Sequence, residues 1–262
     1  CRRPAGSPRS WHRAGAMQPL DHLIQWLQPL PPPVSLLVIV LVTIVGGVMR
    51  GFTGFGAAMV IIPVVALVTL PRDAVVYHAL IEIPTALQLL PDGLRHARRS
   101  TVLPMMLGLV LAVPVGMLLL VSLPPDPMRV GMSVAVLGLV VFMWAGVRLP
   151  PPRGNWAGIL GGTAGGILQG SAGVGGPPIA AALMARRDPA GETRGNVLVM
   201  MALIILVSIP AQYAYDLFTR EVLILGVMMA PAYVASTILG TWLFRRTGGR
   251  NYRAIALGIL AM

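Results

Sequence analysis

Residues 34–70 form an apolar run of 37 positions, and its middle, GGVMRGFTGFGAAM at 46–59, holds five glycines and one arginine. A second long run, 155–184, has 30 positions and carries GGILQGSAGVGGPP at 165–178. As straight helices these runs would extend roughly 55 Å and 45 Å at about 1.5 Å per residue. A bilayer core is only about 30 Å thick. Each run is therefore predicted to be broken, or to enter and turn back.

Six further apolar segments occupy 74–93, 101–121, 128–148, 195–215, 221–244 and 251–262. Only 11% of residues are charged, against about 25% in a soluble domain. Such a chain cannot cover a water-facing surface. The predicted class is all-α, a polytopic membrane protein with the lipid bilayer as its solvent. The last segment stops after 12 residues, short of the roughly 20 a span needs, so a truncated C-terminus is expected. Residues 1–33 read as an N-terminal extension. Four of its arginines precede Met17, and 1–16 resemble upstream sequence more than structure.

All 20 basic residues are arginines. Twelve of them gather in four loops: Arg95, Arg98 and Arg99; Arg148 and Arg153; Arg186, Arg187 and Arg194; Arg245, Arg246, Arg250 and Arg253. Simple alternation of spans would put the second and third of these loops on opposite sides. A hairpin in 155–184 places all four on the cytoplasmic side, as the positive-inside rule requires. Scattered between apolar segments, these arginines form no basic face for nucleic acid. Cys1 is the only cysteine, and His12, His22, His78 and His96 lack ligand spacing. No metal and no cofactor is expected.

The two glycine-rich stretches align at an offset of 119: Gly46, Gly47, Gly51, Gly54 and Gly56 match Gly165, Gly166, Gly170, Gly173 and Gly175. Leu137-Gly138 and Leu257-Gly258 correspond at 120. Two homologous halves are predicted, 34–148 and 155–262. A hairpin plus three crossings per half inverts the second copy, which is the organisation of many secondary transporters. Unwound backbone in lipid must be buried in protein or line a cavity. The paired breaks are thus expected to meet and form a site; close helix packing through small residues is the competing explanation.

Broken helices expose amides and N-terminal dipoles that favour anions. Arg50 would add a charge suited to oxyanions, unless it snorkels to the interface. Its counterpart is the neutral Gln169. Thr53, Thr163 and Ser171 offer hydroxyls, although such groups often bond back to their own helix. Pro177 and Pro178 are expected to fix the exit from the second break, and Pro63 to act later in the first half. Glu82 lies mid-segment, where a carboxylate is expensive, with His78 one turn before it. Either they carry a coupling proton or Glu82 is the buried partner of Arg50. Asn196 and Gln212 suit interhelical hydrogen bonds. Tyr213, Tyr215 and Trp242 suit an interfacial belt.

RGFTGFGAAMVIIP at 50–63 and GGILQGSAGVGGPP at 165–178 resemble the paired signatures of the sulfite exporter (TauE/SafE) family. The resemblance covers the chain from about residue 34, with Ala57 and Ala58 where many relatives carry glycine. It implies a multi-pass permease of the bacterial inner membrane that moves a small sulfur-containing anion, sulfite or an organosulfonate. The implied site residues are Arg50, Gly51, Thr53, Gly54 and Gly56 in the first motif. In the second they are Gly170, Gly173, Gly175, Gly176, Pro177 and Pro178, with Gln169 and Ser171 beside them. A membrane-embedded enzyme is the alternative, yet only Glu82 and His78 approach an acid/base pair, and no G-x-S-x-G elbow occurs. An assembly subunit would not require paired helix breaks.

Overall fold

A computed structural model describes residues 31–144, 156–186 and 188–247. The readings placed on Arg148, Arg153, Arg187, Arg250, Arg253, the segment 251–262 and the first 30 residues lie outside the described residues. Among the described residues the elements are helices: α1 (Pro33–Thr53), α2 (Ala57–Val68), α3 (Pro71–His96), α4 (Arg99–Ser122), α5 (Pro125–Trp144), α6 (Trp156–Ala172), α7 (Gly176–Ala185), α8 (Ala190–Ala214) and α9 (Arg220–Thr247). Six of them, α1, α3, α4, α5, α8 and α9, are long and apolar enough to cross a membrane. Their outward residues are apolar as well, with Leu111, Val134, Leu206 and Val227 largely exposed. A helix bundle that is greasy on its outside suits lipid as solvent.

The first long run is two helices. α1 ends at Thr53, Gly54 follows at φ 82, and its N–H donates to the Arg50 carbonyl at 2.8 Å. Gly56, at φ 95, precedes α2. The second run divides alike: Gly173, at φ 69, donates its N–H to the Gln169 carbonyl at 2.9 Å after α6. Both are helix ends closed by a left-handed glycine. Pro177 lies in the first turn of α7, where a missing N–H costs little. Pro63 sits inside α2 rather than at its start.

The other matched glycines do something different. A Cβ on Gly51 would strike the Thr237 carbonyl of α9, and one on Gly170 the Val113 carbonyl of α4. Gly46 and Gly165 leave room for Ile61 and Ile179, so α2 and α7 lie back against α1 and α6. Close backbone approach through small residues is how helices associate without a hydrophobic drive between them. One motif therefore contains both packing glycines and turn glycines.

Neighbouring contacts also fix direction. Gly47 and Gly51 of α1 lie level with Tyr233–Ser236 and Thr237–Thr241 of α9, so these helices are parallel. Leu80 and Glu82 of α3 meet Gly226 and Tyr233, which makes α3 parallel to them. Gly108 and Gly116 of α4 lie against Ile159–Thr163 and Ile167–Ser171 of α6, again in parallel. α3 and α8 are antiparallel, with Gly93 on Leu198 and Val199 and His96 on Gly195. At that end α3 and the α3–α4 connection touch the start of α8. The Arg98 N–H donates to Asn196 Oδ1 at 2.7 Å, and Arg194 lies 3.6 Å from Asp92.

Candidate functional site

α3 runs through the middle of the bundle and places Glu82 halfway along its length. Arg50, in the last turn of α1, donates through Nε to Glu82 Oε1 and Oε2 at 3.1 and 3.2 Å. Its Nη1 donates to the Gly54 carbonyl in the adjoining turn. The Tyr233 hydroxyl of α9 donates to Glu82 Oε1, and Thr85 Oγ1 reaches the Glu82 carbonyl at 2.9 Å. Arg50 is only 3% exposed. It points into the bundle and does not snorkel. Glu82 is buried with it, so the charge-pair reading of this residue is structurally realised.

Beside the pair lies a cavity of about 40 Å³, room for a small ion or a few waters. Arg50, Gly56, His78, Glu82, Gln169, Gly173, Gly176 and Pro177 line it, together with Ala57 and Ala58. These residues come from both glycine-rich stretches and from α3. His78 Nε2 is buried, has no hydrogen-bond partner among the described residues, and stands 3.9 Å from Glu82 Oε1. The first turn of α2, at Ala57 and Ala58, has no side-chain cap. Its leading amides have no partner within the helix. α7 is poorer in donors, because Pro177 and Pro178 have no N–H.

The other candidates, and Gln169 on the cavity wall, are taken up by packing, turns or local hydrogen bonds. Gly51 and Gly170 face neighbouring helices. Ser171 turns its hydroxyl back to the Ile167 carbonyl at 2.8 Å. Thr163 packs against Gly108. Thr53 ends α1, and Gly54 is spent on the turn. Gln169 closes its own break, its Oε1 accepting the Gly175 N–H at 3.1 Å. Sequence reasoning missed Tyr233, Thr85 and the wall formed by Phe55, Met201, Ile204 and Ile205. Tyr233 was open to detection: a phenol in mid-segment needs a buried partner, and Glu82 was the available acceptor. Nothing in sequence distinguishes the aliphatic wall from other core residues.

The family model for the sulfite exporter TauE/SafE matches residues 39–262. The chain belongs to this family. TauE/SafE membership makes it a multi-pass membrane transporter of sulfite-type anions and not an enzyme. No curated protein and no solved structure gives a significant match to the TauE/SafE chain.

Proposed function

We propose that this chain is a secondary permease of the bacterial inner membrane that carries a small sulfur-containing anion, sulfite or an organosulfonate, through the cavity between the two glycine breaks. The observation that carries this reading is the cavity lining, which draws on both breaks and on the Arg50–Glu82 pair. The orphan amides of α2 and His78 Nε2 are the first contacts for the anion. Arg50 becomes available when Glu82 releases it.

Charge balance supplies the coupling. Arg50 and Glu82 together are neutral, and an added anion in a buried site requires a compensating charge. Protonation of Glu82 provides it, with His78 one turn away as the accessory group. Inward anion movement then carries a proton with it, and outward movement does the same in reverse.

The halves 34–148 and 155–262 form an inverted pair in this proposal. The support is directional: α1 and α3 run one way, and α6 and α8, at the 119-residue offset, run the other. The packing register repeats too. Thr237, Gly240 and Thr241 contact α1 as Val113, Gly116 and Met117 contact α6, at a constant offset of 124. Two breaks entering from opposite ends give alternating access a fixed central site.

The test is flux into proteoliposomes containing the full chain, with sulfite, sulfate and taurine compared. Sulfite or sulfonate uptake that acidifies the lumen is expected. Equal rates in protein-free vesicles would remove the proposal.

A further inference from the structure

α8 presents Met201, Ile204 and Ile205 to the central cavity. Ser208 and Gln212 lie seven and eleven positions beyond Met201, within about 20° of its direction at 3.6 residues per turn. They continue the cavity-facing stripe toward the end of the bundle where α8 meets α9. Both are completely buried. Ser208 Oγ, Gln212 Oε1 and Gln212 Nε2 have no hydrogen-bond partner among the described residues.

Such groups are expensive. A buried polar atom left unpaired costs about 1–3 kcal/mol, and apolar residues of similar size, alanine at 208 and leucine at 212, would avoid that cost. The neighbours Leu203, Val207 and Ile209 follow the cheaper choice. Asn196, on the same helix, differs in being half paired: its Oδ1 accepts the Arg98 N–H at 2.7 Å, and its Nδ2 alone is without a partner among the described residues. At the 119-residue offset the first half has Leu89 and Gly93 instead. The stripe is thus not a by-product of the repeated architecture.

Resting on the transport reading above, we propose that this face of α8 walls the anion's route between the cavity and the α8–α9 end. The Ser208 hydroxyl and the Gln212 amide donate to the anion's oxygens as the route opens. Both are neutral donors, so they pass an anion on without holding it as an arginine would.

The test uses the full chain with Cys1→Ser, which removes the only native thiol. S208C, Q212C and the outward control L206C are reconstituted and exposed to a membrane-impermeant, negatively charged iodoacetyl reagent, whose thioether product resists sulfite. Modification at 208 and 212 is expected to outpace that at 206, to slow when methanesulfonate, a non-nucleophilic sulfonate, is present, and to block flux. Q212L is expected to lower sulfite flux about tenfold, the worth of one hydrogen bond to a charged group. Unreactive thiols at 208 and 212, with S208A and Q212L carrying sulfite at the unsubstituted rate, overturn the route alone. Absence of sulfite flux in the unsubstituted chain overturns the transport reading as well.

Discussion

Arg50 and Glu82, 32 positions apart in sequence, form an ion pair at 3.1 Å in the interior of the bundle, and Tyr233 of α9 donates to the same carboxylate. The pair ties the first glycine break to the long helix beside it, and the phenol ties both to α9. Removing one partner strands the other charge in a medium that cannot solvate it. Arg50→Met is therefore expected to cost about 3–5 kcal/mol, read as a lower melting temperature in detergent. Arg50→Met combined with Glu82→Leu is expected to recover much of that loss while abolishing flux. A double variant as unstable as R50M alone would mean that the two side chains are not energetically coupled.

Glu82→Gln separates charge pairing from proton carriage. Glutamine keeps an acceptor for Tyr233 but cannot titrate. Anion flux should persist as exchange, lose its pH dependence and stop acidifying the vesicle lumen. Pyranine fluorescence in vesicles given external sulfite reads this directly, and unchanged acidification would assign the coupling elsewhere.

The glycines should divide by mechanism. A Cβ at Gly54 meets nothing within 4 Å, so Gly54→Ala suffers only the left-handed backbone at φ 82, about 1–2 kcal/mol. Gly51→Ala drives a methyl into the Thr237 carbonyl, and α1 must part from α9. Thermal melts should therefore rank G51A well below G54A. The reverse order would show that the turn, not the helix contact, limits stability.

Much of this was legible in sequence. The excess length of 34–70 and 155–184 required a division, and α1/α2 and α6/α7 end and begin around glycines that the 119-residue alignment had already picked out. What sequence blurred was the division of labour within a motif. Gly51 and Gly54 look alike on paper, yet one faces a neighbouring backbone and the other turns the chain; only a three-dimensional neighbour tells them apart. The same limit hid Tyr233, which lies 151 positions from Glu82. For Ser171 sequence left two readings open, a donor to a ligand or a bond back to its own helix, and the structure has the second.

Sidedness gives a test independent of transport. The end of α3 and the α3–α4 connection touch the start of α8 through Asp92, Arg98, Arg194 and Asn196. Single cysteines at Ser100 and Ala190 in the Cys1→Ser chain should label from one face of the membrane. Cysteines at Asp126, in the first turn of α5, and at Asp216, in the α8–α9 connection, should label from the other. Ser100 and Ala190 labelling from opposite faces would contradict the helix directions.

The charged pair occupies only one of two related places, and this allows a sharper experiment. At the 119-residue offset Arg50 and Glu82 become Gln169 and Met201, and all four side chains line the cavity. At 124, Tyr233 becomes Leu109. Gln169→Arg alone adds a buried charge with no partner and is expected to destabilise the chain by several kcal/mol, as stranded buried charges do, roughly 3–5. Adding Met201→Glu and Leu109→Tyr, with Arg50→Gln and Glu82→Met, moves the whole cluster to the second half. If the halves are inverted copies, the guanidinium introduced at position 169 can donate to the Gly173 carbonyl as Arg50 does to Gly54. It can also pair with the carboxylate introduced at position 201 as Arg50 does with Glu82. The transposed chain should then melt well above Q169R and regain measurable sulfite flux. A transposed chain no more stable than Q169R would show that the two places are similar in sequence but not in geometry.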